Sequence, residues 1–234
     1  MTVAYDLRIS NKARNVYLRF SFQSGLQVVV PRGYDLTKIP HLLERKKNWI
    51  VRTERRLAEY RDKKEAEPIE ILPTQILLSA LGETWSVQYV ETESRLLRLE
   101  ENENRTLTLS GNIKSELACK RALQKWLCRR GTESLIPWLR CVSQEINLTF
   151  EKASVRLQRS RWGSCSRRKT ISLNAKLLFL RADLVRYLFI HELCHLVHMN
   201  HSPRYWQYVG VKEPNYKCLD AEMRDAMRIV PHWV

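Results

Sequence analysis

Residues 191–201 read His191-Glu192-Leu193-Cys194-His195-Leu196-Val197-His198-Met199-Asn200-His201. At 3.6 residues per turn, His191 and His195 lie one above the other on a helix, so both imidazoles can reach a single metal ion. Glu192 leans beside that ion rather than onto it, which frees its carboxylate to take a proton from water. A His-Glu-x-x-His run on a helix points to zinc-assisted hydrolysis, with the histidines as ligands and the glutamate as general base. A helix carrying such a site must be buried, and the run before it, Leu184-Val185-Arg186-Tyr187-Leu188-Phe189-Ile190, is mostly apolar.

Catalytic zinc takes three protein ligands and leaves one position open. His198 shares the face of His191, but at about 1.5 Å per residue it lies roughly 10 Å further along a straight helix. His201 is better placed. Asn200 tolerates the left-handed conformation that ends helices, and Pro203 prevents the helix from resuming at once. The spacing follows the metzincin pattern, except that His198 stands where that pattern has glycine. His198, Glu213 and Glu222 are the alternatives for the third position.

Wider blocks agree with the motif. Asn200-His201-Ser202-Pro203 and Tyr205-Trp206 follow it, and Arg161-Trp162-Gly163-Ser164-Cys165-Ser166 and Ile171-Ser172-Leu173-Asn174 precede it; Pro214-Asn215-Tyr216-Lys217 comes later. Together they resemble the YgjP-like metallopeptidase family and its WLM and SprT-like zincin relatives. The likeness is strong from about Ser154 to Lys217. It implies an α+β, zincin-like metallopeptidase fold with His191, His195 and His201 as ligands of Zn2+ and Glu192 as base. It also suggests that a strand beside the metal helix pairs with an extended substrate.

The 234 residues suffice for one large domain or two small ones. We expect a β-rich N-terminal region with one helix over residues 1–110 and a catalytic region over residues 111–234. Residues 1–15 hold no apolar export-signal core, and no uncharged apolar run reaches 18 residues, so a cytoplasmic protein without a membrane span is expected. The six cysteines show no paired spacing and read as reduced thiols. Cys165 and Cys194 sit within the two motif blocks; they read as small buried residues rather than redox switches.

The net charge is +15, unevenly spread. Residues 111–170 carry 14 basic and 4 acidic groups, whereas residues 61–110 carry 6 and 10. A basic field ahead of a catalytic helix draws anions, whether acidic polypeptide, nucleotide or nucleic acid. A zinc peptidase acting on polypeptide is therefore the first reading. A metal-dependent hydrolase of nucleotide phosphoanhydrides or another anionic substrate is the second, and a DNA-associated protease, by analogy with the WLM and SprT-like relatives, is a further one. Glu192 argues against a nucleic-acid module with a merely structural metal, because such a site needs no base.

The remaining pattern places elements around the site. Val16–Phe22 and Leu26–Val30 alternate about Gly25 as a hairpin. Residues 37–64 show helical spacing. Trp85–Val90, Leu96–Leu99 and Leu107–Leu109 read as strands. Residues 112–146 read as one or two helices broken near Gly131 and Pro137. Val155–Leu157 and Thr170–Leu173 frame a loop, Arg159–Lys169. Asn174 caps the next helix, the metal helix starts near Asp183, and a last helix covers Cys218–Ile229. Tyr205, His198, Arg161 and Arg159 are candidates to stabilise an oxyanion, with Trp162 and Trp206 packed around the site. Asp183, Asp220 and Glu222 are candidates to orient the histidines.

Overall fold

The structure, a computed structural model, describes residues 4–11, 13–21, 25–55 and 72–234. The chain divides into two compact units, residues 1–68 and residues 69–234.

In the first unit, strands β1 (Asp6–Ser10), β2 (Tyr17–Ser21) and β3 (Gly25–Pro31) form a sheet in the order β1-β3-β2. β2 and β3 are antiparallel, as the alternation predicts, and Gly25 adopts φ +67°, where a side chain would be strained. β1 pairs parallel to β3 and lacks a strong pattern of its own. Helix α1 (Ile39–Arg45) follows and turns at Lys46, and residues 47–55 are helical again. The end of the predicted 37–64 helix lies outside the described residues. Leu26, Val28, Val30, Ile39, Leu43 and Ile50 form the small core of this unit.

The second unit opens with β4 (Gln75–Leu78), β5 (Glu83–Glu91), β6 (Arg98–Asn102) and β7 (Thr106–Gly111), ordered β4-β5-β7-β6. β5 alternates buried and exposed residues because one face rests on the core. The strand expected at Leu96–Leu99 begins two residues later, at Arg98. Helix α2 (Glu116–Glu145) is a single helix, contrary to the expected break. Its buried residues, Leu123, Trp126, Leu127, Gly131, Leu135, Leu139 and Val142, continue across both breakers. The apolar stripe outweighs the hydrogen bond that Pro137 removes. Gly131 is there for space: a Cβ at this position would lie 3.0 Å from Val155 Cγ1.

β8 (Lys152–Arg156), β9 (Gly163–Cys165) and β10 (Thr170–Asn174) form a second sheet in the order β8-β10-β9. The segment read as a loop between two strands therefore holds a third, short strand at the sheet edge. β10 runs parallel to β8 and antiparallel to β9. Asn174 caps the next turn through Lys176 N–H, but that turn is a 3-10 helix, residues 175–179. Helix α3 (Ala182–Cys194) carries the motif, and α4 (Pro203–Lys212) and α5 (Tyr216–Asp225) pack on it. A 3-10 turn at 226–229 completes the stretch predicted as one last helix. The architecture is α+β. Among the described residues no helix is long and apolar enough to cross a membrane.

Candidate metal centre

Helix α3 is buried nearly all round. Leu184, Val185, Tyr187, Leu188, Phe189, Ile190, Leu193 and Cys194 are all in the core. Such a helix is held from several sides, which fixes the direction of His191 and Glu192. At its start Asp183 accepts from Leu184 N–H at 2.9 Å and pairs with Arg181.

The helix ends earlier than its motif. His195 is its C-cap, and residues 195–197 form a tight turn in which Val197 and His198 N–H both donate to Cys194 O. Asn200 is not left-handed, contrary to the sequence reading; among the described non-glycine residues only Arg105, Asn147 and Lys169 have positive φ. The turn at 195–198 is made without a positive φ, so no glycine is needed where His198 stands. Ser202 then caps α4, accepting from Tyr205 N–H at 3.4 Å, with Pro203 in the first turn. This anchors His201 just ahead of α4.

One ligand atom from each of His191, His195 and His201 lies within 4.8 Å of the other two. His201 Nε2 is 3.1 Å from His191 Nε2. Two imidazole nitrogens about 2.0–2.1 Å from one tetrahedral ion are roughly 3.4 Å apart, so the trio is close to a shared coordination sphere. The chemistry of the donors fits as well. His195 Nδ1 is 3.0 Å from the backbone oxygen of His198. A carbonyl only accepts, so Nδ1 carries the proton and Nε2 keeps a free lone pair. Burial, then His195 and His201 beside it, pushes His191 down to about 4, so it is neutral and able to ligate at pH 7. Burial lowers His195 too, although its bond to His198 opposes this. Three imidazoles gathered at the negative end of a helix suit a divalent ion such as zinc.

His198, Glu213 and Glu222 do not join the trio. The His198 ring faces Tyr208 at 5.8 Å, and it is the main-chain carbonyl of His198 that serves the site. Glu213 pairs with Arg186, and Glu222 with Arg181. The side chains suggested as orienting carboxylates are likewise engaged elsewhere. Asp183 holds Arg181, and Asp220 accepts from Tyr187 O–H at 3.0 Å and pairs with Arg224.

Aromatic rings hold the trio in place. Tyr205 is fully buried, stacks on His195 at 4.6 Å, and donates its hydroxyl to His191 O at 3.0 Å. That bond commits the hydroxyl and removes Tyr205 from the oxyanion candidates. Trp206 stacks on His201 at 5.5 Å, and Tyr216 stacks on Trp206 at 5.7 Å. Trp162 is tied down through Nε1 to Met223 O at 3.2 Å.

Glu192 is only 5% exposed. Burial pushes its carboxyl up to about 8, with Arg161 opposing. Gly163 of β9 lies directly against it: a Cβ there would be 2.7 Å from Glu192 Oε1 and 2.9 Å from its Cγ. Reading the sequence did not assign Gly163 this part, although the Arg-Trp-Gly block contains it. The residue is legible as a constraint only once β9 is known to touch α3. Burial raises the Cys165 thiol to about 11, with Glu192 adding to the rise, and raises Cys194 to about 12. Both are therefore protonated, as expected of packing residues rather than reactive thiols.

The YgjP-like, metallopeptidase domain matches residues 14–226 of this chain. Among solved structures, the metallopeptidase zymogen abylysin of Pyrococcus abyssi is 21% identical, with a TM-score of 0.36, over 40% of this chain and 95% of that one. The metallopeptidase zymogen jannalysin of Methanocaldococcus jannaschii is 17% identical, with a TM-score of 0.35, over 42% of this chain and 98% of that one. No curated protein matches the chain.

Proposed function

Since the chain belongs to the YgjP-like metallopeptidase family, and so to the metal-dependent peptidases, we propose that it is a zinc-dependent endopeptidase in which Glu192 is the general base. The observation that carries this reading is the meeting of three imidazoles within 4.8 Å, next to a buried carboxyl held on the adjoining turn.

His191, His195 and His201 would hold the ion. When bound, zinc supplies a Lewis acid that lowers the pKa of water from about 15.7 to about 7 and polarises a carbonyl oxygen. Burial raises the Glu192 carboxyl, and a divalent charge held by the three histidines would favour its carboxylate form. Glu192 then accepts a proton at a carboxylate oxygen and returns it to the leaving amine. Its low exposure excludes bulk water and keeps the proton on that path. Gly163 leaves the room the carboxylate needs. Tyr205 and the His198 carbonyl keep the rings oriented. Arg161, exposed and electrostatically coupled to Glu192, sets positive charge on the substrate side of the proposed base. The open edge of β9 is where an extended substrate would pair.

The second reading is hydrolysis of a nucleotide phosphoanhydride. The observation favouring it is the run 152–182, which holds nine basic residues and no acidic one.

Glu192→Gln tests the mechanism. The variant is expected to bind zinc at wild-type stoichiometry by elemental analysis while losing about 10²- to 10⁴-fold in peptide turnover. Undiminished turnover would exclude Glu192 as base. Wild-type turnover of nucleoside triphosphates, with none of unfolded polypeptide, would move the assignment to the second reading.

A further inference from the structure

We propose that the β9 edge is a charge-selective track, taking polypeptides that carry acidic side chains on both sides of the bond to be cut. The inference rests on the peptidase reading above and names its substrate class.

The edge itself is read from the hydrogen bonds. Asn174 N–H donates to Trp162 O at 2.8 Å, and Ser166 N–H donates to Thr170 O at 3.0 Å. Even-numbered residues of this segment therefore bond to β10. Strand alternation turns the backbone groups of Gly163 and Cys165 to the other side. Among the described residues no strand pairs there, since β9 ends the order β8-β10-β9. An unpaired edge of this kind is a template for an extended chain. Gly163 lies against Glu192, so a chain paired at Gly163 runs beside the proposed base.

The charged residues on the segments that run into and out of that edge are all basic. Arg159 and Arg161 precede β9, Arg167 and Arg168 follow it, and all four are exposed. Among the described residues none of the four makes an ion pair or a side-chain hydrogen bond. The acid next to this hairpin in the chain pairing is the exposed Glu151, whose N–H donates to Lys169 O at 2.9 Å; it is one carboxylate against four arginines. Arg161 stands two residues before β9 begins and Arg167 lies in the hairpin turn two residues after it ends. A paired peptide would meet positive charge some three residues to either side of its centre. A polynucleotide could satisfy the arginines. It brings no alternating N–H and C=O groups to Gly163 and Cys165, so the edge favours a polypeptide.

The test uses zinc-loaded Glu192→Gln protein and fluorescent peptides of about ten residues, identical except for Asp, Ser or Lys three positions either side of the centre. Two exposed charge pairs, at about 0.5 kcal/mol each, predict about fivefold tighter binding of the Asp peptide than of the Ser peptide at low salt, measured by anisotropy. The preference should shrink toward unity at about 0.5 M salt, where screening is nearly complete. Combining Arg161→Glu, Arg167→Glu and Arg168→Glu should reverse it toward the Lys peptide. Should that variant fail to fold, Arg167→Glu with Arg168→Glu, confined to the exposed hairpin, should at least abolish it. Equal binding of the three peptides, or a preference that survives the reversal, would overturn the proposal. So would a single-stranded oligonucleotide that binds these arginines more tightly than the Asp peptide. Wild-type protein that cleaves all three peptides equally sinks the charge preference and leaves the peptidase standing. Selective binding without cleavage by wild-type protein does the opposite.

Discussion

His201 and His198 differ by one helical turn in sequence, yet only one of their rings reaches the other two histidines. The tight turn at 195–198 aims the His198 carbonyl inward and its ring at Tyr208. Replacing His201 by Ala is therefore expected to lower zinc occupancy, read by elemental analysis, far more than His198→Ala, whose backbone carbonyl persists. The reverse order would reassign the third ligand. Gly163 makes a second expectation at this scale. Gly163→Ala places a methyl within 3 Å of the Glu192 side chain, and so displaces the carboxylate. Because about 1 Å of misplacement can cost on the order of 10²-fold in rate, the variant should lose turnover of that order while holding wild-type zinc. An unchanged kcat/KM would show that Glu192 tolerates the shift.

Between elements, one ion-pair network carries a stability prediction. Glu83, at the start of β5, is buried and bonded to Arg130 of α2 and, at 3.0 Å, to Trp85 Nε1. Burial alone would raise its pKa; Arg130 and Trp85 outweigh burial and hold it below the usual carboxylate value. A depressed acid pKa stabilises the fold above the unfolded-state value, near 4.5. That contribution is lost as the pH falls through the lower folded value. Glu83→Gln should therefore destabilise the protein by about 1–3 kcal/mol at pH 7, measured by urea unfolding. The difference from wild type should narrow below about pH 4.5. A gap that stayed constant across that range would deny the ion pair its role. The elements themselves were unevenly legible. α3 and β5 follow from apolar runs and alternation, and α2 follows from its stripe. The continuity of α2 through Gly131 and Pro137 did not, because breaker residues are judged locally while the stripe that overrides them is satisfied by the whole core. β9 escaped notice because three residues make no periodicity, and its strand character comes from pairing with β10.

For the molecule as a whole, a shared ion would tie the C-terminal end of α3 to the connection before α4. A ligand that binds only the folded chain stabilises it by RT ln(1 + [L]/Kd), about 2.7 kcal/mol at a hundredfold excess over Kd. For a chain of this length that is roughly 5–10 °C in Tm. Scanning calorimetry should show such a rise with zinc, reversed by a chelator and absent in His191→Ala. A Tm indifferent to zinc in the wild type would mean that the trio does not grip it.

What the sequence determined by itself was the set of residues proposed for the site: the histidines, the neighbouring Glu192 and their spacing about the end of one helix. These depend on the fixed 3.6-residue period and on side-chain identity, both local. It also carried the α+β character, through alternation in the strands and apolar stripes in the helices. Only the tertiary structure decided which third histidine meets the other two, how the chain turns without glycine, which carbonyl fixes the tautomer of His195, and why residue 163 has no side chain. Each of these is a contact between residues that come together only when separate elements pack, and no periodicity along the chain encodes such a contact.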